Sequence, residues 1–226
     1  MAEAARRAAS ITVPTWVVAQ RQTAGRGRRG RAWADPVGNF AGTLIYRPQT
    51  TAQMAALRSF VAANALFDAL SQWAGQGALA TKWPNDVLLG GGKVAGILLE
   101  SSGTADRLDW LSVGIGVNLA HHPEDVDNPF PPVSVAGATG VTPTIEEFAT
   151  ALAASYAEHE DSLSIHGFEP TRTLWYSRAA KRGDVITART GTDVISGIFD
   201  GIDSDGNLIL LSGAGTRKIA AADVHF

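Results

Sequence analysis

The first 120 residues alternate short apolar runs of strand length with a single long helical segment. In that segment, from Thr51 to Trp73, apolar side chains recur at three- and four-residue spacing, and Gly75 and Gly77 end the pattern. Runs rich in β-forming side chains lie on both sides of it. The order predicts strands and helices in one chain and excludes a coiled coil. The predicted strands are 13–20, 40–46, 79–83, 93–100 and 110–117.

The composition shifts near Lys181. Before it, Thr144 and the acidic residues that follow can cap a helix, and a further helix is predicted over 168–179. After it, short strands alternate with tight turns, and about 45 residues of hairpins is the size of a small barrel. We therefore place a boundary near residue 180, which divides the chain into domains 1–180 and 181–226.

The composition excludes several kinds of site and fold. The 226 residues include no cysteine, which excludes a disulfide framework, a thiol nucleophile, a zinc–thiolate site and an iron–sulfur cluster. Apolar residues make up 45% and the net charge is −3, which excludes a disordered tail and argues against general affinity for nucleic acid. The sequence contains no bilayer-spanning stretch and no signal peptide. We expect a soluble cytoplasmic protein.

Basic residues concentrate in one place, because five of the fifteen arginines lie within residues 21–31. Residues 25–30 fit G-x-G-x-x-G, but no helical pattern follows and position 50 is threonine where a dinucleotide fold needs an acid. What remains is a loop whose amides and guanidinium groups can face an anion. Repulsion among the four arginines of 26–31 predicts a loop that is mobile until a polyanion fills it. The alternative is a solvated basic loop or an arginine–glycine nucleic-acid tract.

Three further motifs place polar residues at strand ends. In KWPND (82–86) the proline ends a strand, and the residues around it either line a pocket wall or only close a turn. Lys93 follows three glycines without the hydroxyl residue of a P-loop, and it either reaches into a site or lies on a surface hairpin. In GIGVN (114–118) the glycines allow close approach of a ligand or another backbone, and the asparagine either reads a ring edge or enters a loop.

Taken in order, these segments resemble biotin protein ligases. GRGRRGRAW (25–33), KWPND (82–86), GKVAGILLE (92–100) and GIGVN (114–118) follow the order and rough spacing of that family. Each motif is weak alone and the four in order are specific, whereas lipoate ligases share the catalytic fold but match these motifs less well. The resemblance implies an α+β fold, with a mixed sheet and helices like those of class II aminoacyl-tRNA synthetases, followed by a small SH3-like β-barrel.

The resemblance also implies a reaction. Such an enzyme joins the carboxylate of biotin to the α-phosphate of ATP, releases pyrophosphate, and passes biotin to a lysine of a biotin carboxyl carrier protein. It implies Lys93 and Arg28 as catalytic cations, Arg26 as a further cation for carboxylate and phosphate, and Trp33 as a platform for adenine. Mg²⁺ would accompany ATP, without a metal site of the protein's own. The other residues implied to bind biotin or the adenylate are Gln22, Gly25, Gly27, Asn85, Asp86, Gly96 and Asn118.

Two departures from the family bear on partners and on the site. The sequence lacks the helix-turn-helix that makes some of these ligases repressors, so we expect no DNA binding, and no membrane partner either. It also lacks the family's strand ending in Ser-Thr, because residues 2–9 are typical of the helix that follows it. We therefore expect an incomplete biotin pocket, or a start assigned to an internal methionine. Related ligases pair through the sheet, so a homodimer is a further expectation.

Three other interpretations stay open on the sequence alone. A lipoate or other acyl-carrier ligase would use the same fold with a different acid. An RNA-binding module would use the arginine–glycine segment and lose affinity steeply with added salt. A pocket protein that had lost catalysis with its missing strand would bind nucleotide without forming an adenylate.

Overall fold

Six strands form the larger of the two sheets in the computed structural model, which describes residues 1–34, 36–123, 130–213 and 215–225. The strands are β1 (Thr15–Ala19), β2 (Phe40–Tyr46), β3 (Leu79–Lys82), β4 (Asp86–Leu89), β5 (Gly92–Gly103) and β6 (Leu108–Val117). Their order across the sheet is β1-β2-β6-β5-β4-β3. All five predicted strands are present, β2 with the predicted ends and the other four with shifted ends, and β4 completes the sheet.

Every strand pair of this sheet is antiparallel, and tight turns explain this for β3 to β6. Gly90 and Gly91 turn β4 into β5 with φ of +58° and +84°, a left-handed backbone that favours glycine. Strands β3 to β6 follow one another through short connections, and such neighbours can pair only antiparallel because a parallel pair needs a long crossover. Parallel pairing also occurs, in two isolated bridges, Thr81–Ala179 and Lys93–Pro132.

The described residues include six α-helices. The segment predicted as one helix from Thr51 to Trp73 is two, because the helix is interrupted at Leu57, whose N–H bonds the carbonyl of Met54. The predicted cap at Thr144 is confirmed, and Glu147 completes a capping box. The helices are α1 (Ala2–Arg7), α2 (Ala52–Ala56), α3 (Arg58–Leu70), α4 (Val135–Thr139), α5 (Ile145–His166) and α6 (Phe168–Ser177).

The main core lies between the larger sheet and helices α3 and α5. Phe40 of β2 meets Phe148 of α5 with ring centroids 5.1 Å apart, and Val113 and Ile115 of β6 belong to the same core. Successive residues of a strand face opposite sides of the sheet, so Gly114, between Val113 and Ile115, lies on the face turned away from these helices. None of the described helices is both long and apolar enough to cross a membrane.

The last part of the chain forms a second, five-stranded antiparallel sheet. Its order is β10-β9-β8-β7-β11 once the strands are numbered along the chain. It packs on the first unit through Trp175 of α6, whose ring lies 6.4 Å from that of Phe199. Residues 121–132 are polar and interrupted by prolines, which predicts a loop, and residues 124–129 of it lie outside the described residues. The strands are β7 (Val185–Arg189), β8 (Val194–Ile202), β9 (Leu208–Ser212), β10 (Gly215–Ile219) and β11 (Asp223–His225).

Candidate active site

A cavity of about 430 Å³ opens on the face of the larger sheet that α3 and α5 leave uncovered. Its volume is in the range of small-molecule sites. The Arg–Gly loop, residues 25–33, and strand β11 bound it on two sides. Among the residues predicted for the site, Gly25 does not line the described cavity. Those that do are Gln22, Arg26, Gly27, Arg28, Trp33, Asn85, Asp86, Lys93, Gly96 and Asn118.

Glycines form part of the cavity floor. Gly96 of β5 and Gly116 of β6 are cross-strand partners, so this part of the sheet carries no side chains. The indole of Trp33 lies directly over them. A Cβ atom at position 116 would fall 2.6 Å from Trp33 Cε2, and one at position 96 would fall 3.3 Å from Trp33 Cζ3. The bare floor therefore seats the Trp33 ring, which leaves its other face toward the cavity.

The Arg–Gly loop folds back on itself at its two ends. The Trp33 N–H donates to the Gly25 carbonyl at 3.0 Å. A side chain at position 25 would collide with the backbone of Trp33 and with the Gln22 side chain, so glycine is needed there for the loop's own fold. Between these ends Arg29 adopts a left-handed φ of +57°, which costs a non-glycine residue roughly 1–3 kcal/mol. The surroundings must hold the loop in this shape.

Two carboxylates form ion pairs with three of the loop arginines. Arg26 Nη2 lies 2.6 Å from Glu100 Oε1. Arg29 and Arg31 both reach Oδ2 of Asp223 on β11, at 2.9 and 2.5 Å. Two carboxylates thus face four loop arginines, so the loop keeps a net positive charge, and its mobility without a bound anion stays a prediction.

Arg28, the fourth arginine, points into the cavity. Its Nη1 donates to Asn85 Oδ1 at 3.4 Å, and partial burial, with the positive charge of Arg29, lowers the pKa of its guanidinium. Asn85 is itself held in place. Its side-chain Nδ2 donates to the Ile97 carbonyl at 2.7 Å, and its main-chain carbonyl accepts from the Ile97 N–H at 2.9 Å. Arginine still stays protonated in proteins. Arg28 therefore offers a partly desolvated, oriented cation to an anionic ligand.

Asp86 lies between two lysines. Its Oδ1 is 2.7 Å from Lys93 Nζ and its Oδ2 is 3.7 Å from Lys82 Nζ. Burial lowers the pKa of Lys82, whose ammonium also lies 4.3 Å from the centre of the Phe130 ring. The ammonium of Lys93 lies 5.5 Å from the Trp33 ring. Two cations around one carboxylate leave positive charge at this end of the cavity, which favours phosphate groups.

Asn118 shapes the cavity wall. It is buried, its Nδ2 donates to the Val133 carbonyl at 3.0 Å, and its Oδ1 lies 3.5 Å from Asn39 Nδ2. The Val133 N–H donates in turn to the Lys93 carbonyl at 3.0 Å, so the segment before α4 is held against β5. The polar groups of Asn118 are therefore engaged by the protein itself in this structure.

Of the two interpretations left open for KWPND, the pocket wall does not apply to Trp83, which is not among the residues that line the cavity. Its side chain is only 3% exposed, belongs to the main core, and donates through Nε1 to the Gly206 carbonyl at 3.0 Å. The tryptophan of the KWPND segment thus connects the first unit to the second sheet. Within the same segment, the cavity receives Lys82, Asn85 and Asp86 instead.

Sequence reasoning missed the wall that the second sheet contributes. Asp223 and His225 of β11 line the cavity, as does Phe130. Burial lowers the pKa of the His225 imidazole, and the positive charges of Arg189 and Lys82 lower it further, so the ring is neutral at pH 7. No motif surrounds these residues in the sequence. The available signal was the excess of loop arginines, which require carboxylate partners from elsewhere in the chain.

Comparison with known families accounts for both parts of the chain. The family model described as biotin/lipoate A/B protein ligase matches residues 2–118, more than half of the chain, and the model described as biotin protein ligase C terminal domain matches residues 183–226. The chain belongs to the biotin/lipoate A/B protein ligase family. The predicted family membership is therefore confirmed, and the cavity combines residues from both matched segments.

Relatives in this ligase family are similar over most of the chain. A biotin–[acetyl-CoA-carboxylase] ligase of Paracoccus denitrificans is 53% identical, and the alignment covers 100% of this chain and 95% of the relative. A bifunctional ligase/repressor of Bacillus subtilis is 33% identical over 93% of this chain and 66% of its own length.

Solved structures confirm the predicted fold class. The biotin protein ligase of Aquifex aeolicus in complex with biotin and ATP has a TM-score of 0.82 and 25% identity, covering 97% of this chain and 92% of that chain. The Leishmania major enzyme in complex with biotinyl-5-AMP has a TM-score of 0.69 at 23% identity, which is a likeness of fold.

Proposed function

We propose that this chain activates biotin with ATP and transfers the biotinyl group to a lysine of a biotin carboxyl carrier protein. The observation that carries the proposal is the convergence of Arg28 and Lys93 on one glycine-floored cavity in a chain so similar to a biotin ligase over its whole length. The reaction consumes ATP, and we place it in the cytoplasm. We assign the first step to residues 1–180 and a wall of the site to residues 181–226.

In the first step a carboxylate oxygen of biotin attacks the α-phosphorus of ATP, and pyrophosphate leaves. Both reactants are anions, so their approach and the charge that develops at phosphorus must be stabilised by fixed cations. Arg28 is partly desolvated and oriented by Asn85, and Lys93 stands 2.7 Å from Asp86. We assign to these two cations the stabilisation of the transferring phosphoryl group.

In the second step the lysine amine of the carrier attacks the acyl carbon of the adenylate, AMP leaves, and the nitrogen loses a proton. The mixed anhydride must be kept from water until the carrier arrives. The Arg–Gly loop and Trp33 border the cavity from the side of the loop and so limit access of water. We propose that Trp33 packs on the adenine ring with the indole face that is turned away from Gly96 and Gly116.

We propose that Mg²⁺ enters with the phosphates of ATP. Among the described residues, no group of three or more histidine, aspartate or glutamate side chains could hold a metal ion. The carboxylate nearest to the catalytic cations, Asp86, is engaged by two lysines. The donor set therefore suits a metal whose ligands are phosphate oxygens and water.

The test is transfer of labelled biotin. The chain is incubated with labelled biotin, ATP–Mg²⁺ and an apo carboxyl carrier domain, and labelled carrier is measured beside pyrophosphate release. We expect label on the carrier, none when ATP is omitted, and none on a carrier whose target lysine is arginine. Lipoate in place of biotin distinguishes the acyl-carrier alternative. Release of pyrophosphate with lipoate and not with biotin would overturn the proposal.

A further inference from the structure

Asp223 of the second sheet contacts the Arg–Gly loop through its carboxylate. Asp223 accepts from Arg29 Nη1 at 2.9 Å and from Arg31 Nη2 at 2.5 Å, both on the same oxygen, Oδ2. The two arginines flank Gly30, whose φ is +73°, so a left-handed turn at 29–30 accompanies their approach to one acceptor. The Asp223 carboxylate thus connects the Arg–Gly loop to the second sheet.

Asp223 is held more firmly than the arginines that it binds. It lies on β11, which pairs antiparallel with β7, and its neighbour Val224 is buried in the core. Burial opposes its ionisation, yet the hydrogen bond from Arg31 and the charges of the loop arginines lower its pKa. The carboxylate is therefore charged at neutral pH, whereas the Arg31 side chain is two-thirds exposed.

The pairing divides the loop arginines into two groups. Arg29 and Arg31 share the one carboxylate of Asp223. Arg28, between loop and floor, contacts Asn85 and faces the cavity. The residue directly after Arg28 is thus anchored to the second sheet, and the anchor fixes the backbone that carries the proposed catalytic cation.

We propose that Asp223 is a positioning residue that latches the Arg–Gly loop over the cavity and so retains the biotinyl-adenylate. The inference rests on the proposed function for the identity of the retained intermediate. When Asp223 loses its charge, Arg29 and Arg31 are freed, the loop opens more often, and the adenylate escapes before the carrier arrives.

The first experiment measures retention. Adenylate is formed from labelled biotin and ATP–Mg²⁺, free substrates are removed, and loss of bound label is followed without carrier. For Asp223→Asn we expect loss roughly tenfold faster than in the unmodified chain, since two ion pairs of this kind disappear. The rate of adenylate formation should change less than its retention. Asp223→Glu, which keeps the charge, should recover most of the retention, which a merely structural role would not predict.

A control variant and a variant of the two arginines test whether the effect depends on the Asp223 ion pairs. Asp200→Asn removes an exposed carboxylate from β8 of the same sheet and should leave retention unchanged. The double variant Arg29→Gln/Arg31→Gln should lose adenylate as fast as Asp223→Asn, and adding Asp223→Asn to it should cause no further loss. The latch proposal would be wrong if Asp223→Asn and the double arginine variant had additive effects on adenylate loss. It would also be wrong if Asp223→Asn retained the adenylate as well as the unmodified chain.

A second readout does not depend on the proposed reaction. Trypsin cleaves after arginine, so cleavage within residues 26–31 of the ligand-free chain reports how often the loop opens. We expect cleavage several-fold faster in Asp223→Asn at unchanged thermal stability. If the unmodified chain formed no adenylate, the proposed function would fail, while the cleavage comparison would still decide the latch. Equal cleavage in both proteins would refute it.

Discussion

Lys93 occupies a position where loss of one charge should affect chemistry far more than folding. It starts the apolar part of β5, its ammonium is 2.7 Å from Asp86, and its side chain keeps about a quarter of its surface exposed to the cavity. For Lys93→Ala we expect adenylate formation to fall about 10²–10³-fold, the usual loss when one electrostatic donor to a reacting centre is removed. Pyrophosphate exchange into ATP measures it.

Lys218→Ala is the matched control, because it also removes an ammonium paired with an aspartate, Asp203 at 3.2 Å, but on β10 of the second sheet. It should exchange pyrophosphate at the rate of the unmodified chain. Circular dichroism and the unfolding midpoint should be the same for both variants. An exchange rate in Lys93→Ala equal to that of Lys218→Ala would remove Lys93 from the mechanism.

Arg28 differs from the other arginines of the loop because its guanidinium contacts Asn85, whereas theirs pair with carboxylates. Its truncation should remove a charge-assisted bond to the adenylate phosphate, worth about 1.5–3 kcal/mol. For Arg28→Ala we therefore expect the adenylate to dissociate at least about tenfold faster, measured as retention of labelled intermediate after gel filtration. Arg217→Ala, on exposed β10, serves as the control, and equal retention in the two variants would make Arg28 a bystander.

At the scale of elements, apolar periodicity predicted where strands and helices lie and failed where the pattern carries no signal. The break between α2 and α3 falls at Leu57, an apolar residue that continues the helical spacing, so the sequence shows no interruption. Strand β10 is mostly exposed and includes Arg217 and Lys218, which gives it no apolar alternation. The strand is stabilised by its pairing with β9, which the side chains of β10 do not indicate.

Three helices are joined by one carboxylate. Asp68 of α3 accepts from His159 Nε2 of α5 at 2.7 Å and from Arg178 Nη2, just after α6, at 2.5 Å. Burial opposes its ionisation, but these two bonds lower its pKa below the ordinary 3.8. Such a group adds stability that is fully present above the unfolded pKa and is lost as pH falls through the lower folded pKa.

For Asp68→Asn we therefore expect the free energy of unfolding at pH 7 to fall by about 1.5–3 kcal/mol, the range for hydrogen bonds to charged groups. The deficit should narrow as the pH is lowered below 3.8. Urea unfolding across this pH range measures it, with Asp161→Asn, an exposed carboxylate on α5, as the comparison. A deficit that stays constant with pH would show that the carboxylate's charge is not what stabilises these helices.

At the scale of the whole molecule, the sequence predicted the parts of the site that lie in motifs and missed those that arise from packing. Lys93 and Asp86 come from motifs on adjacent strands, and β4–β5 pairing brings them together. Asp223 stands in no motif, and its contact with Arg29 and Arg31 exists only once the second sheet has docked. Long-range charge pairs of this kind depend on the relative placement of two units, which local patterns do not encode.

A substitution at Gly206 tests how the second sheet is held against the first unit. This residue accepts from Trp83 Nε1 at 3.0 Å and has a φ of +80°, and a Cβ there would fall 2.5 Å from Phe60 Cε2 of α3. Gly206→Ala should therefore lower the free energy of unfolding by about 2–4 kcal/mol, from backbone strain and overpacking together. It should also speed loss of the adenylate, because displacement of the sheet moves Asp223. Gly213→Ala, with open space around its Cα and an ordinary φ, should do neither. If Gly206→Ala lost stability but retained the adenylate normally, the contact of the second sheet at Gly206 would not be what holds Asp223 beside the cavity.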